Sequence, residues 1–259
     1  MNILVVNDDG IESHGLHALA KQLKKLGDVW VVAPDRPQNA MGRAITLHKP
    51  LRLKQIGRRV FSVNGTPSDC VILGAGWALR DHEIHLLVSG INKGLNIGDD
   101  VTNSGTVAAA LEGTIQGIPS IAVSLDGLNR FRFQAAASVT VEVAKLVLQD
   151  ELPVDTFINV NVPDVPVKDM KGIQITSLSR RRYRNSIVEK VDPRGGWYCW
   201  VAGEQVTWNR RRCSDADAIA DNKVSLTPLH FDMTQYRALT RLRSWEPVLS
   251  RRVKQLKPS

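Results

Sequence analysis

Two adjacent aspartates directly after an apolar run are the first residues of this chain that could do chemistry: Ile3-Leu4-Val5-Val6 leads straight into Asn7-Asp8-Asp9-Gly10. Neighbouring carboxylates repel one another unless solvent or a cation relieves them, and a hard divalent ion is the natural partner. The same four residues would also make a plain turn, since Asp and Gly favour turns. A second group is Ser89-Gly90-Ile91-Asn92-Lys93-Gly94-Leu95-Asn96-Ile97-Gly98-Asp99-Asp100, where glycines alternate with amides and a lysine. Such a segment lets backbone approach an anion closely and offers neutral oxygen ligands, or it is an ordinary flexible loop. Ser104-Gly105-Thr106 opens an alanine-rich stretch, where hydroxyls and free N–H groups at a helix start form either an anion site or a routine N-cap. The segment Pro34 to Arg43 adds further groups that bind oxygen or phosphate. Carboxylates and amide oxygens, without thiols or clustered histidines, suit magnesium or manganese rather than zinc. Beside an anion cradle such an ion polarises a phosphoryl oxygen and activates water, so these groups together predict metal-assisted hydrolysis of a phosphate ester.

Other chemistries lack their residues. There is no Walker A loop and no GxGxxG, and the serines lack a GxSxG elbow. His14, His17, His48, His82, His85 and His230 show no paired-ligand spacing and read as surface or structural residues. Cys70, Cys199 and Cys213 are scattered and odd in number, without a CxxC pair, which fits a reducing cytoplasm. The start lacks a basic region and a small-residue cleavage site, so a secretory signal is not expected. The longest charge-free stretches, such as Gly113 to Leu125, fall short of the ~20 apolar residues of a membrane span.

The candidate groups lie in the connections of a β-α-β pattern. Strands are expected at Asn2 to Val6, Val29 to Ala33, Ile84 to Val88, Ser120 to Ser124 and Phe157 to Val160. Leu16, Leu19, Ala20 and Leu23 recur at helical spacing, with Lys21, Lys24 and Lys25 on the other face. Thr66-Pro67-Ser68-Asp69 predicts a capped helix start, running to about Leu79. Further helices are expected after Gly105, ending near Gly117-Ile118-Pro119, and after Arg132. The fold class is therefore α/β, a Rossmann-like, mostly parallel sheet with helices on both faces. Ligands in such sheets bind beyond the carboxyl ends of the strands, where the candidate loops fall.

The chain has 259 residues, 43% hydrophobic and 23% charged, an ordinary globular composition. Its net charge of +8 is uneven: residues 180–259 carry 17 Lys and Arg against 8 Asp and Glu, while the rest is near neutral. The alternation stops near Pro163-Asp164-Val165-Pro166, and Arg180-Arg181-Arg182-Tyr183-Arg184 opens a region holding Trp197, Trp200, Trp208 and Trp245. We divide the chain into a catalytic core, 1–178, and a basic C-terminal arm, 179–259, made of a β-hairpin, a return strand at Val224 to Thr227 and a closing helix from about Thr234. Aromatic and basic interleaving could stack single-stranded nucleic acid, but aromatics on a protruding hairpin are read here as a contact with another subunit.

Taken in order and spacing, Asn7-Asp8-Asp9-Gly10-Ile11, Val32-Ala33-Pro34-Asp35-Arg36, Gly65-Thr66-Pro67-Ser68-Asp69-Cys70, Val88 to Asn96 and Ser104-Gly105-Thr106-Val107 resemble the SurE family of survival-protein nucleotidases. Asn159-Val160-Asn161-Val162-Pro163 and Val224-Ser225-Leu226-Thr227-Pro228-Leu229 continue the resemblance over nearly the whole chain. It implies a cytoplasmic phosphatase that uses one divalent metal ion per subunit, magnesium or manganese, and releases phosphate from nucleoside 5′- and 3′-monophosphates and in some members from short polyphosphate. It also implies a C-terminal arm exchanged between subunits of a homodimer or homotetramer.

Carried over by position, the metal ligands are Asp8, Asp9, Asn39 and Asn92. Our leading hypothesis on this basis puts Asn96 with Asp8 and Asp9 in catalysis, and the substrate phosphate among Asn96, Ser104, Gly105 and Thr106. Relatives carry a serine where this sequence has Asn39, and a histidine where it has Arg43, which would face either substrate phosphate or solvent. Two alternatives stand beside this reading: a nucleotide- or RNA-binding module with weakened catalysis, dominated by the basic arm, and a broad-specificity phosphatase or polyphosphatase.

Overall fold

The computed structural model describes residues 1–127, 131–150, 152–182, 187–201, 207–209 and 212–255. The first two thirds alternate as the apolar periodicities require: β1 (Asn2–Val6), α1 (His14–Leu23), β2 (Asp28–Pro34), β3 (Leu53–Gly57), β4 (Val60–Val63), α2 (Pro67–Leu73), β5 (Leu86–Lys93), α3 (Gly105–Ile115), β6 (Ser120–Leu125), α4 (Phe133–Gln149) and β7 (Thr156–Val162). The remainder holds β8 (Ile173–Ile175), β9 (Arg180–Arg182), β10 (Ile187–Val191), β11 (Trp197–Val201), β12 (Thr207–Asn209), α5 (Asp215–Ala220), β13 (Val224–His230), α6 (Tyr236–Leu242) and α7 (Glu246–Lys254).

Nine strands form one sheet in the order β3-β4-β2-β1-β5-β6-β7-β13-β8. From β4 to β7 every neighbouring pair is parallel, while β3 and β13 join their neighbours β4 and β7 antiparallel. The parallel strands run outward in both directions from β1 and β5, so chain order reverses between those two strands. In a doubly wound sheet that is the switch point where the connections splay apart and leave a crevice.

Side-chain alternation assigns the two faces. Ile3 and Val5 pack with Leu16, Leu19 and Leu23 of α1 and Ala137, Val141 and Ala144 of α4. Leu4 and Val6 point the other way, into a second cluster with Cys70 and Val71 of α2 and Ala109 and Ala110 of α3. The mostly parallel sheet with helices on both faces is thus as the sequence predicts. Removing these side chains from water supplies the main drive for the fold, roughly 25 cal/mol per Å² of apolar surface.

Several boundaries differ from expectation. The strand expected at Ile84 to Val88 begins at Leu86 and continues to Lys93, so Ser89 to Lys93 belong to the sheet rather than to a loop. Glycine makes this possible: at Gly90, with φ of +140°, a Cβ would lie 2.4 Å from the Val123 carbonyl oxygen. The Gly90–Ile91 peptide is cis, and the register with β6 shifts between Ser89 and Asn92. The helix starting at Thr66 has the expected capping box, but its α-helical part stops at Leu73 and a π-helical turn, Gly74–Ala78, completes the run. The β3–β4 hairpin was not foreseen. The closing helix is two helices, α6 and α7, joined by a 3₁₀ turn at Arg243–Trp245.

The return strand is longer than predicted and lies inside the main sheet, with Ser225 opposite Asn161 and Val224 opposite Ile173. β10 and β11 form a separate hairpin, on which Trp197, Trp200 and Val201 are exposed by 76%, 61% and 89%. Of the basic run, Tyr183 and Arg184 lie outside the described residues. No helix among the described residues is long and apolar enough to cross a membrane.

Candidate active site

β1 ends at Val6 and delivers Asp8 into the crevice beside β5. Asp8 is 3% exposed, and its carboxylate faces the start of α3. Thr106 donates to it twice, through its hydroxyl to Oδ1 at 2.6 Å and its N–H to Oδ2 at 3.2 Å. Ser104 caps the helix by accepting from the Val107 N–H. Gly105 permits the approach: a Cβ there would lie 2.9 Å from the Asp8 Cβ. Burial pushes the Asp8 carboxyl up to about 6; the Thr106 hydroxyl opposes this and the Asp9 charge adds to it. Burial also raises Asp9, against the Lys93 N–H, which donates to Asp9 Oδ2 at 3.3 Å.

The other candidate groups converge here from three connections. Gln38 donates its N–H to the Asp8 carbonyl at 2.7 Å, which places exposed Asn39 one residue from an anchor on Asp8. A Cβ on Gly10, φ +91°, would lie 3.1 Å from the Arg36 backbone, so the connections after β1 and β2 touch. At the end of β5, Asn92 spends Nδ2 on the Gly94 carbonyl at 2.9 Å, leaving Oδ1 as the atom with which it could meet a cation. Asn96 is buried and held at both ends of its backbone. Its N–H donates to Asn161 Oδ1, its carbonyl accepts from Asn159 and Asn161, and its own Nδ2 donates to Ser124 Oγ at 2.8 Å.

The structure therefore brings Asp8, Asp9, Asn92, Asn96 and the Ser104-Gly105-Thr106 helix start to one end of the sheet, with the Asn39 segment beside Asp8. Thr106, expected at the substrate phosphate, has both donors engaged by Asp8. The Ser104 hydroxyl hydrogen and the Gly105 N–H, at the first positions of this helix, have no acceptor within the helix. Arg43 turns to α3: its Nε and Nη2 each lie 2.8 Å from Oε2 of buried Glu112.

The donor set fits a hard divalent ion. Two carboxylates, both disfavoured in their charged form by burial, gain from a cation what they lose in solvation. The Asn7 Oδ1 atom is buried without a hydrogen-bond partner in the same connection, and amide oxygens complete the chemistry such ions prefer. Among the described residues no group of three or more His, Cys, Asp or Glu gathers as a metal cluster.

A family model, Survival protein SurE, matches residues 3–185. The chain belongs to the SurE family. It is 48% identical over 250 residues to 5′-nucleotidase SurE of Geotalea daltonii, covering 95% of this chain and 99% of that protein. It is 46% identical over 241 residues to 5′-nucleotidase SurE of Moorella thermoacetica, covering 91% and 92%. The crystal structure of SurE protein from Aquifex aeolicus superposes with a TM-score of 0.87 at 41% identity, over 95% of this chain and all of that one.

Four residues of this SurE chain hold the site without having been singled out for it. Asn159 and Asn161 fix Asn96; the visible signal is two amides at alternate positions of an apolar strand. Asp215, fully buried, accepts from the N–H groups of Gly98, Ser179 and Ala216 and so ties the start of α5 to the segment after Asn96. Glu112 takes Arg43. A single carboxylate in a helix carries no pattern that separates such a role from a solvated one.

Proposed function

We propose that this SurE chain is a divalent-metal-dependent phosphatase that hydrolyses nucleoside 5′- and 3′-monophosphates, and short polyphosphate with them. The observation that carries the reading is the buried Asp8 carboxylate, with Asp9 beside it, facing the N-terminus of α3 at the switch point between β1 and β5. The relatives named 5′-nucleotidase match over nearly their full length, which supports the substrate class.

Asp8, Asp9, Asn39 and Asn92 would hold one magnesium or manganese ion. When bound, the ion supplies Lewis-acid polarisation of the phosphoryl group and neutralises its charge. Thr106 fixes the rotamer of Asp8, and the Lys93 N–H steadies Asp9. The phosphate sits between these carboxylates and α3, where the Ser104 hydroxyl, the Gly105 N–H and the positive end of the helix meet its oxygens. Asn96 spends one Nδ2 hydrogen on Ser124, and its second would be available to the same phosphate. These donors are fixed before substrate arrives, so they stabilise the transferring group without rearranging.

The arm, 179–259, is proposed as the subunit contact of a homodimer or homotetramer, with the exposed tryptophans of the β10–β11 hairpin as its apolar surface. Three unpaired cysteines accord with a cytoplasmic setting. The test is phosphate release from a panel of nucleoside 5′- and 3′-monophosphates, an aryl phosphate and polyphosphate, using metal-stripped protein given magnesium, manganese or neither. Metal-restored release from nucleotides is expected. Silence with every metal would overturn the reading, and equal rates on the aryl phosphate would make it a general phosphatase.

A further inference from the structure

We propose that Arg43 is a positioning residue: paired with Glu112, it fixes the segment that carries Asn39 over Asp8. The inference rests on the metal-dependent reading of the site for what that segment helps to bind. Asn39, Ala40 and Met41 are exposed, and no core packing holds them. Their position is set by ties on either side. Before them, the Gln38 N–H donates to the Asp8 carbonyl; after them, the Gly42 N–H donates to the Asn103 carbonyl at 2.9 Å. Arg43 follows at once, and the next anchors are farther away. Ala44 accepts from the Thr66 hydroxyl, and Thr46 donates twice to Asp69.

The Arg43–Glu112 contact differs from these ties in kind. Glu112 is 4% exposed and lies in α3, seven residues from Gly105, so the contact joins the Asn39 segment to the same rigid helix whose start faces Asp8. Both Nε and Nη2 reach one carboxylate oxygen, while Gln116 Nε2 donates to the other at 3.1 Å. A guanidinium held through two nitrogens fixes direction as well as distance, which a single ammonium does not. Glu112 is the buried member of the pair while the Arg43 side chain is 40% exposed, so removing Arg43 alone would strip that carboxylate of its cationic partner. The link matters because of the ligand type. An asparagine has more rotatable bonds than a serine and must be aimed by its backbone, and that backbone is fixed two to four residues away from Arg43.

The test pairs calorimetric titration of metal-stripped protein with Mn²⁺ and steady-state release of phosphate from a nucleoside monophosphate. In the double variant Arg43→Met with Glu112→Gln, which removes both charges together, Mn²⁺ affinity is expected to fall about tenfold, the scale of lost support behind a metal ligand. KM rises with it, while kcat at saturating Mn²⁺ stays within about twofold because no group touching substrate has changed. A folded double variant with wild-type Mn²⁺ affinity would overturn the proposal. Should that variant fail to fold, Arg43→Lys decides: a folded protein with weakened Mn²⁺ binding supports the role, and wild-type affinity overturns it. Calorimetry needs no turnover, so wild-type protein that binds Mn²⁺ as predicted but releases no phosphate sinks the phosphatase reading and leaves the clamp standing. Wild-type protein that takes up no Mn²⁺ sinks both.

Discussion

Asp8 is the residue on which most of the site turns, and it is held in a state that costs the protein stability. Asp8→Asn should reduce phosphate release by at least about 100-fold, the scale of losing one preorganised electrostatic group, with the far-UV circular dichroism unchanged. The same substitution should alter the pH dependence of folding in metal-free protein. The folded carboxyl is raised to about 6 from 3.8, so between those values the folded state binds more protons than the unfolded one and stability falls as pH rises. Asp8→Asn removes that contribution, so its stability relative to wild type should improve from pH 4 to pH 7 by up to about 3 kcal/mol. Parallel denaturant titrations at the two pH values check this, and a constant difference would contradict it. Asp8 and Asp9 were legible in the sequence because adjacency itself poses an electrostatic problem. Glu112 and Asp215 pose theirs only once folding has taken water away from them, so their roles were not visible there.

At the scale of elements, α3 is the piece whose placement the chemistry depends on, and Gly105 is what lets it come close. Gly105→Ala puts a Cβ 2.9 Å from the Asp8 Cβ and 3.1 Å from its Oδ2, so either the helix start retreats or Asp8 leaves Thr106. Overpacking of this kind costs about 1–3 kcal/mol, which thermal unfolding would register, and phosphate release should fall along with it. A variant of wild-type stability and activity would show that the close approach is not needed. Most elements of the core could be read from the sequence because each buries an apolar stripe with its own period. The exceptions had no such stripe. β3 is almost wholly exposed, so it shows no alternation, and the end of β5 consists of Ser, Gly, Asn and Lys among few apolar residues, a composition that reads as loop although the sheet continues through it. Asn159 and Asn161 were legible as a motif, yet their task of gripping the Asn96 backbone appears only when β7 and that segment are side by side.

For the whole molecule, assembly can be read through the thiols. Burial pushes the Cys70 thiol well above its ordinary range, whereas Cys199, on the β10–β11 hairpin, and Cys213 are exposed in the single chain. If the hairpin seals a subunit contact, native protein at micromolar concentration sediments as a dimer or larger, and Cys199 reacts with a thiol reagent more slowly than Cys213. Trp200→Glu should then weaken association by at least about tenfold, since large aromatics at the centre of a contact carry much of its energy, and should speed Cys199 modification. A monomer with both thiols equally fast would refute the arm's proposed role. The position of β13 has a consequence of another kind, in the order of events as the chain is made. β7 pairs with β13 along Thr156 to Asn161, and among the described residues β8 joins the sheet through β13. Until residues beyond 224 emerge, the nascent sheet therefore ends in a bare edge at β7, with a row of backbone donors and acceptors that any passing strand of matching register could occupy. The strand that covers this edge follows β7 only after β8 to β12 and α5, so the edge waits for its partner while all of these are made.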